Sequence, residues 1–201
     1  MVAIIDYDAG NIRSVEKALT ALGAAPVVTR DRQQILTADH VILPGVGAFG
    51  DCMQHLHDYG LTDVIRETIR DGKPFLGICV GMQLLFEGSE ESPDVPGLGI
   101  LKGRFYRFRS DTEKIPHMGW NNIRIRKNAR LLTGIGQNPY VYFVHSYYLK
   151  AEDPSIVTAV CDYIQPFDAS VECGNCFGTQ FHPEKSSRIG LTVLNNFLEV
   201  H

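Results

Sequence analysis

In Lys73-Pro74-Phe75-Leu76-Gly77-Ile78-Cys79-Val80-Gly81-Met82-Gln83-Leu84-Leu85-Phe86 an apolar run meets a tight glycine-x-cysteine-x-glycine bend. A second apolar run follows, with the look of a helix start. The order strand, bend, helix with a cysteine at the bend is the thiol version of a nucleophile elbow. Glycines at 77 and 81 suit it, because side chains there would collide with neighbouring backbone. The bend would lift the sulfur above a sheet and set it at a helix N-terminus, where unpaired N–H groups favour a thiolate. A buried cysteine alone is more often an inert small hydrophobe, so a second element is needed.

Gly178-Thr179-Gln180-Phe181-His182-Pro183-Glu184-Lys185 supplies it. His182 and Glu184 stand two apart after a strand-like run. Residues i and i+2 share a side of an extended segment, and Pro183 disfavours helix for the residue before it. If the chain stays extended, a base and its orienting acid reach one place. Cys79, His182 and Glu184 then form a triad by role.

The surrounding pattern fits one mixed α/β domain over residues 1–201. Val2–Ile5, Ala25–Thr29, His40–Leu43 and Pro74–Gly77 read as strands. Asn11–Leu22 and a largely helical Gly50–Asp71 alternate with them. Such alternation predicts a mainly parallel central sheet flanked by helices. Beyond Gly88 the character shifts: Glu90–Gly97 reads as a loop. Arg104–Phe108, Asn122–Arg126, Tyr140–His145, Ile156–Cys161 and Ala169–Val171 read as strands. Ser186–Val200 reads as a closing helix.

Composition narrows the function classes. The chain has 201 residues and a net charge of −4, with no dense basic run, which disfavours nucleic-acid binding. No run of about 18 apolar residues suggests a membrane span, and the first residues lack the pattern of a signal peptide. A cytoplasmic location is the expectation. Five unevenly spaced cysteines are no secreted disulfide framework. Cys173-Gly174-Asn175-Cys176 is half a zinc site and reads better as a hairpin turn. His55 and His57 point in different directions on a helix. No metal or cofactor is expected.

Pro44-Gly45-Val46-Gly47-Ala48-Phe49-Gly50 contains a formal G-x-G-x-x-G and opens a second reading, a dinucleotide-binding module. That fingerprint wants an acidic residue about 20 positions on, after the next strand. Asp71 lies before that strand instead. The other use of the loop is as a backbone donor. An N–H from Gly45, Val46 or Gly47, with that of Val80, would form an oxyanion hole over Cys79.

Taken together, Leu76–Leu85 and Gln180–Ser186 resemble the triad-type (class I) glutamine amidotransferases over essentially the whole chain. Asp6–Val15, Leu43–Phe49, Pro116–Asn121 and Tyr142–Tyr147 bring the resemblance nearest to the glutaminase subunits that serve imidazole glycerol phosphate synthesis. The resemblance implies hydrolysis of L-glutamine by Cys79, His182 and Glu184. It also implies ammonia transfer to a (β/α)8-barrel cyclase in a heterodimer. It places Gln83, Glu91, Ser146 and Tyr147 against glutamine, and Asn11, Trp120 and Lys185 against the cyclase. It further implies low glutaminase activity until partner and nucleotide bind, with an oxyanion peptide that reorients. Thr179 and Ala9 depart from the usual pattern. A related thiol hydrolase, such as the pyridoxal-phosphate glutaminase or a γ-glutamyl hydrolase, shares the elbow and triad.

Overall fold

The computed structural model describes residues 1–126 and 129–201. In chain order its elements are β1 (Val2–Ile5), α1 (Ile12–Ala21), β2 (Pro26–Thr29), α2 (Arg32–Thr37), β3 (His40–Leu43), α3 (Phe49–Asp58), α4 (Leu61–Arg70) and β4 (Phe75–Ile78). Then follow α5 (Val80–Leu84), β5 (Gly88–Ser89), β6 (Gly103–Arg107), β7 (His117–Ile125), β8 (Tyr140–His145), β9 (Tyr147–Ala151), β10 (Val157–Tyr163), β11 (Gln165–Cys173), β12 (Cys176–Thr179) and α6 (Ser187–Leu198). The main sheet runs β2-β1-β3-β4-β12-β11-β10-β7-β8. Its first five strands are parallel, and β11, β10, β7 and β8 continue antiparallel. The shorter strands β5 and β6 pair in parallel, and β9 bridges β6 to β11.

The parallel strands are covered on both faces, as strands of continuous apolar character require. β1, β3 and β4 are buried at every residue. α1 turns Val15, Ala18 and Leu19 inward, while α6 contributes Val193, Leu194 and Phe197.

Several boundaries differ from the sequence expectation. Gly50–Asp71 is two helices, because Gly60 takes a left-handed φ of 63° and breaks the run after Tyr59. α2 carries too few apolar residues for a clear period; its start is fixed by Asp31, whose carboxylate accepts from Gln34 N–H at 2.8 Å. Strand β7 begins at His117 rather than Asn122, since its outward face is not polar but bears Met118 and Trp120. β11 likewise extends from Gln165 to Cys173. Cys173 and Cys176 are register partners across a two-residue turn, with Gly174 at φ 57°, so this pair is a hairpin as its spacing suggests. No helix of the described residues is long and apolar enough to cross a membrane.

The parallel half brings the candidate chemistry to one edge. β4 and β12 are neighbours, with Gly77 opposite Gly178 and Ile78 opposite Thr179. Cys79 and the 180–184 segment therefore leave the sheet side by side, at strand C-termini where open α/β sheets place their ligands.

Candidate active site

The elbow is held by backbone contact. Cys79 adopts φ 54° and ψ −111°, an unfavourable region for an L-residue, and such strain costs about 1–3 kcal/mol. Its N–H donates to Thr179 O at 2.8 Å, and its carbonyl accepts from Gln83 N–H at 3.2 Å. A Cβ on Gly81 would stand 1.9 Å from Leu43 O, and one on Gly45 would stand 2.5 Å from Gly81 N. These two glycines let α5 and the Pro44–Gly47 loop meet main chain to main chain.

His182 lies beside the Cys79 sulfur. Its Nδ1 is 2.7 Å from Glu184 Oε1, and both side chains are wholly buried. Nε2, the nitrogen left for chemistry, has no hydrogen-bond partner among the described residues. Burial opposes a charge on this ring, but Cys79 and then Glu184 outweigh it and raise its pKa above the ordinary histidine value. The pair therefore favours imidazolium beside sulfur.

The chain does not stay extended through these residues. Pro183–Lys185 is a 3-10 turn capped by His182. Lys185 N–H donates to His182 O and Ser186 N–H to Pro183 O, while Ser186 Oγ donates to His182 O at 2.6 Å. Ser186 Oγ also accepts from Tyr142 N–H, and His182 N–H donates to Tyr142 O, which fastens the turn to β8. Glu184 meets His182 because the turn curls it back, not because of two-residue alternation.

Gln180, not a residue the sequence marks as functional, donates from Nε2 to Cys79 Sγ at 3.6 Å. Its Oε1 accepts from Gln83 Nε2 at 3.4 Å, and it is completely buried. The Cys79 thiol also reaches Val144 O at 3.9 Å. Of the other cysteines, burial raises Cys52 to about 11 and Cys161 and Cys176 to about 12, so these remain thiols.

The sulfur opens on a cleft of about 280 Å³. Val46, Gly47, Val80, Gln83, Glu91, Val144, His145, Ser146 and Tyr147 line it. All four residues expected to face glutamine are thus on its wall. Gln83 Oε1 is buried with no partner among the described residues, and such a group is an acceptor awaiting a donor. Glu91 Oε2 accepts from Phe49 N–H at 2.8 Å. A larger cleft of about 690 Å³, lined by Thr112, Lys114 and Tyr163 among others, contains neither thiol nor histidine.

The glycine loop faces the elbow rather than forming an open phosphate cradle. Tyr7, fully buried, donates from its hydroxyl to Pro44 O at 2.6 Å. Val80 N–H donates to Gly45 O at 3.3 Å. A carbonyl, not an N–H, of Gly45 therefore meets Val80, and one of the expected oxyanion donors is engaged. Thr179 is buried with its hydroxyl unpartnered among the described residues.

The residues expected at a partner face separate into two kinds. Trp120 is 52% exposed and Lys185 is also exposed. Asn11 instead donates from Nδ2 to Glu184 Oε1 at 2.6 Å, from a left-handed backbone at the start of α1. It touches the triad acid directly. Among the described residues no group of three or more His, Cys, Asp or Glu is placed to hold a metal.

This arrangement is a thiol–imidazole–carboxylate site of the hydrolase kind, set at the end of a parallel sheet. The family model "Glutamine amidotransferase class-I" matches residues 3–200. Solved structures share the fold. One described as "Crystal structure of glutamine amidotransferase" aligns with a TM-score of 0.77 at 20% identity, covering 99% of this chain and 98% of that one. "Structure of PurLQS from Thermotoga maritima" aligns at 0.75 with 23% identity, covering 98% and 96%. The chain belongs to the class-I glutamine amidotransferase family. Within the family it is similar over its whole length to proteins named "Imidazole glycerol phosphate synthase subunit HisH". The Bacillus cereus protein is 51% identical over 197 residues, 98% of this chain and 93% of that one. Its counterpart from Methanococcus maripaludis, "HisH 1", is 46% identical over the full length of both.

Proposed function

We propose that this chain, as one domain over residues 1–201, is the glutaminase subunit of an imidazole glycerol phosphate synthase acting in the cytoplasm. The observation that carries the reading is the buried His182–Glu184 pair beside Cys79 on a cleft walled by Gln83, Glu91, Ser146 and Tyr147. Full-length similarity to HisH subunits supplies the substrate and pathway.

In this reading the Cys79 thiolate attacks the side-chain carboxamide carbon of L-glutamine. The carbonyl π-electrons move to oxygen, and backbone N–H groups hold the oxyanion. His182 gives its Nε2 proton to the departing nitrogen, and the C–N bond breaks. Ammonia leaves, and a glutamyl thioester remains. Water then attacks the thioester, His182 takes a proton from it, and glutamate departs as the thiolate is restored. Glu184 holds Nδ1 and stabilises the imidazolium throughout. The ammonia passes to a (β/α)8-barrel cyclase, docked around Asn11, Trp120 and Lys185. There it is used with the nucleotide PRFAR to make imidazole glycerol phosphate and AICAR.

The Val80–Gly45 contact supports low idle activity. With Gly45 O on Val80 N–H, the nascent oxyanion lacks a donor, and one such donor is worth about 10²–10³ in rate. Partner and nucleotide would favour the peptide orientation that frees Val80 and turns an N–H of the Gly45–Gly47 loop inward.

The test is Cys79→Ala in the complex with the cyclase. Glutamine-dependent synthesis falls by about 10³-fold or more, while ammonia-dependent synthesis persists. A glutamine-like electrophile labels Cys79 in the wild-type protein. Loss of both activities, or labelling at another cysteine, refutes the assignment.

A further inference from the structure

His145 lines the cleft and His117 packs against it; the chemistry above uses neither of these buried histidines. His117 on β7 and His145 on β8 are register partners, 4% and 5% exposed. His117 Nδ1 lies 2.9 Å from His145 Nε2. His145 Nδ1 lies 2.8 Å from Tyr147 O. Asn121 Nδ2 lies 3.2 Å from His117 Nε2 and donates to Asp162 O at 3.0 Å. His117 is stacked between Tyr163 and Phe143, with ring centroids 4.0 and 4.8 Å away.

These contacts assign every proton from the network. Tyr147 O can only accept, so His145 carries its proton on Nδ1 and accepts at Nε2. His117 must then carry its proton on Nδ1 and accept at Nε2 from the Asn121 amide. Both rings are neutral, and the bonds all run one way, from Asn121 toward Tyr147. A second proton on His145 would set two donors face to face between the rings. Burial favours the neutral pair, lowering His117 to about 4 and His145 to about 3.

The chain ends on the segment that the functional reading places against glutamine. Tyr147 O is fixed by His145, and Ser146 O accepts from Phe108 N–H at 3.0 Å. The Ser146–Tyr147 bend between β8 and β9 thus has both carbonyls held by hydrogen bonds. We propose that His117 and His145 are positioning residues for glutamine, a one-way hydrogen-bond chain that fixes the Ser146–Tyr147 bend in its substrate-binding form. This rests on the placement of glutamine against Ser146 and Tyr147.

The test compares His117→Asn with His117→Gln in the full chain complexed with its cyclase. An asparagine amide reaches the position of Nδ1 and keeps a donor toward His145. A glutamine amide reaches the position of Nε2 and does not. H117Q is expected to raise KM for glutamine by about tenfold, the effect of one lost hydrogen bond. Its kcat stays within about threefold, and H117N keeps KM within about threefold of wild type. Ammonia-dependent synthesis reports that each variant is folded and docked. Unchanged KM in both, an equal rise in both, or an effect on kcat alone overturns the proposal. Should H117Q not fold, His145→Gln decides: its amide reaches the position of Nε2 but leaves Tyr147 O without the donor at Nδ1, and an unchanged KM again overturns the proposal. Ser146→Ala separates the two levels. If it leaves KM untouched, the glutamine placement is wrong; if it raises KM while H117Q does not, only the histidine chain falls.

Discussion

The two walls of the cleft are built by different means. On the elbow side, position is set by main chain: Gly45, Gly77 and Gly81 leave no space for a Cβ, and Cys79 is held in a strained conformation between β4 and α5. On the facing side, position is set by side chains, with Asn121, His117 and His145 leading to Tyr147 O. Packed backbone tolerates almost no substitution, and on that side pH acts only through His182 beside the sulfur. A side-chain chain tolerates isosteric exchange but depends on protonation. Cys79, the nucleophile of the proposed reaction, sits on the first kind of wall.

Three experiments sharpen this contrast. The largest effect is expected from Glu184→Gln, which keeps shape but removes the anion shared by His182 and Asn11. The imidazolium loses its counter-charge, and kcat for glutamine falls by about 10²-fold or more, with KM little changed in steady-state assays. Next comes Gly81→Ala. Its Cβ meets Leu43 O at 1.9 Å, main chain that cannot rotate away, so urea unfolding should show a loss of about 3 kcal/mol. A stability change below about 0.5 kcal/mol would mean that the elbow wall is softer than its contacts imply.

The smallest effect concerns pH, where the walls have opposite signs. His117 and His145 titrate lower in the folded protein than the ordinary histidine value of about 6.5. Between about 6.5 and 4 the unfolded chain binds protons that the folded pair refuses. Stability therefore falls as pH falls through that window. His182 is raised, so its contribution is complete below about pH 6.5 and is lost as pH rises through its folded value. Urea unfolding of wild type and H117N from pH 6.5 to 4.5 checks the first sign. The wild type should lose about 2 kcal/mol more than the variant.

The parallel half of the fold was legible in sequence because its signals are local. Continuous apolar strands, glycines at the bend and an amphipathic α1 each appear within a dozen residues. The antiparallel half was less so. β7 carries exposed Met118 and Trp120 and buried His117, which inverts the usual alternation. β9 follows β8 after the single residue Ser146, with no turn signal to divide them. In the site, Cys79 and His182 stood out by their motifs. Gln180 does not, and Asn11 stands out only as a partner-facing residue, because their contacts with Cys79 and Glu184 span 101 and 173 positions of chain. The turn at 183–185 is hidden for a similar reason: Ser186 Oγ, bonded to both His182 O and Tyr142 N–H, bends a segment that local rules would extend.

The contact between Gly45 and Gly81 also limits how this protein can change state. Pro44–Gly47 has no clearance to slide along α5, and Tyr7 grips the carbonyl at its entrance. For the reorientation that the proposed function calls for, this leaves a peptide plane pivoting in place, trading a carbonyl for an amide at one point. Such a toggle needs no hinge and opens no void. The exchange of one bond, worth about 1 kcal/mol, is small enough for a distant binding event to tip.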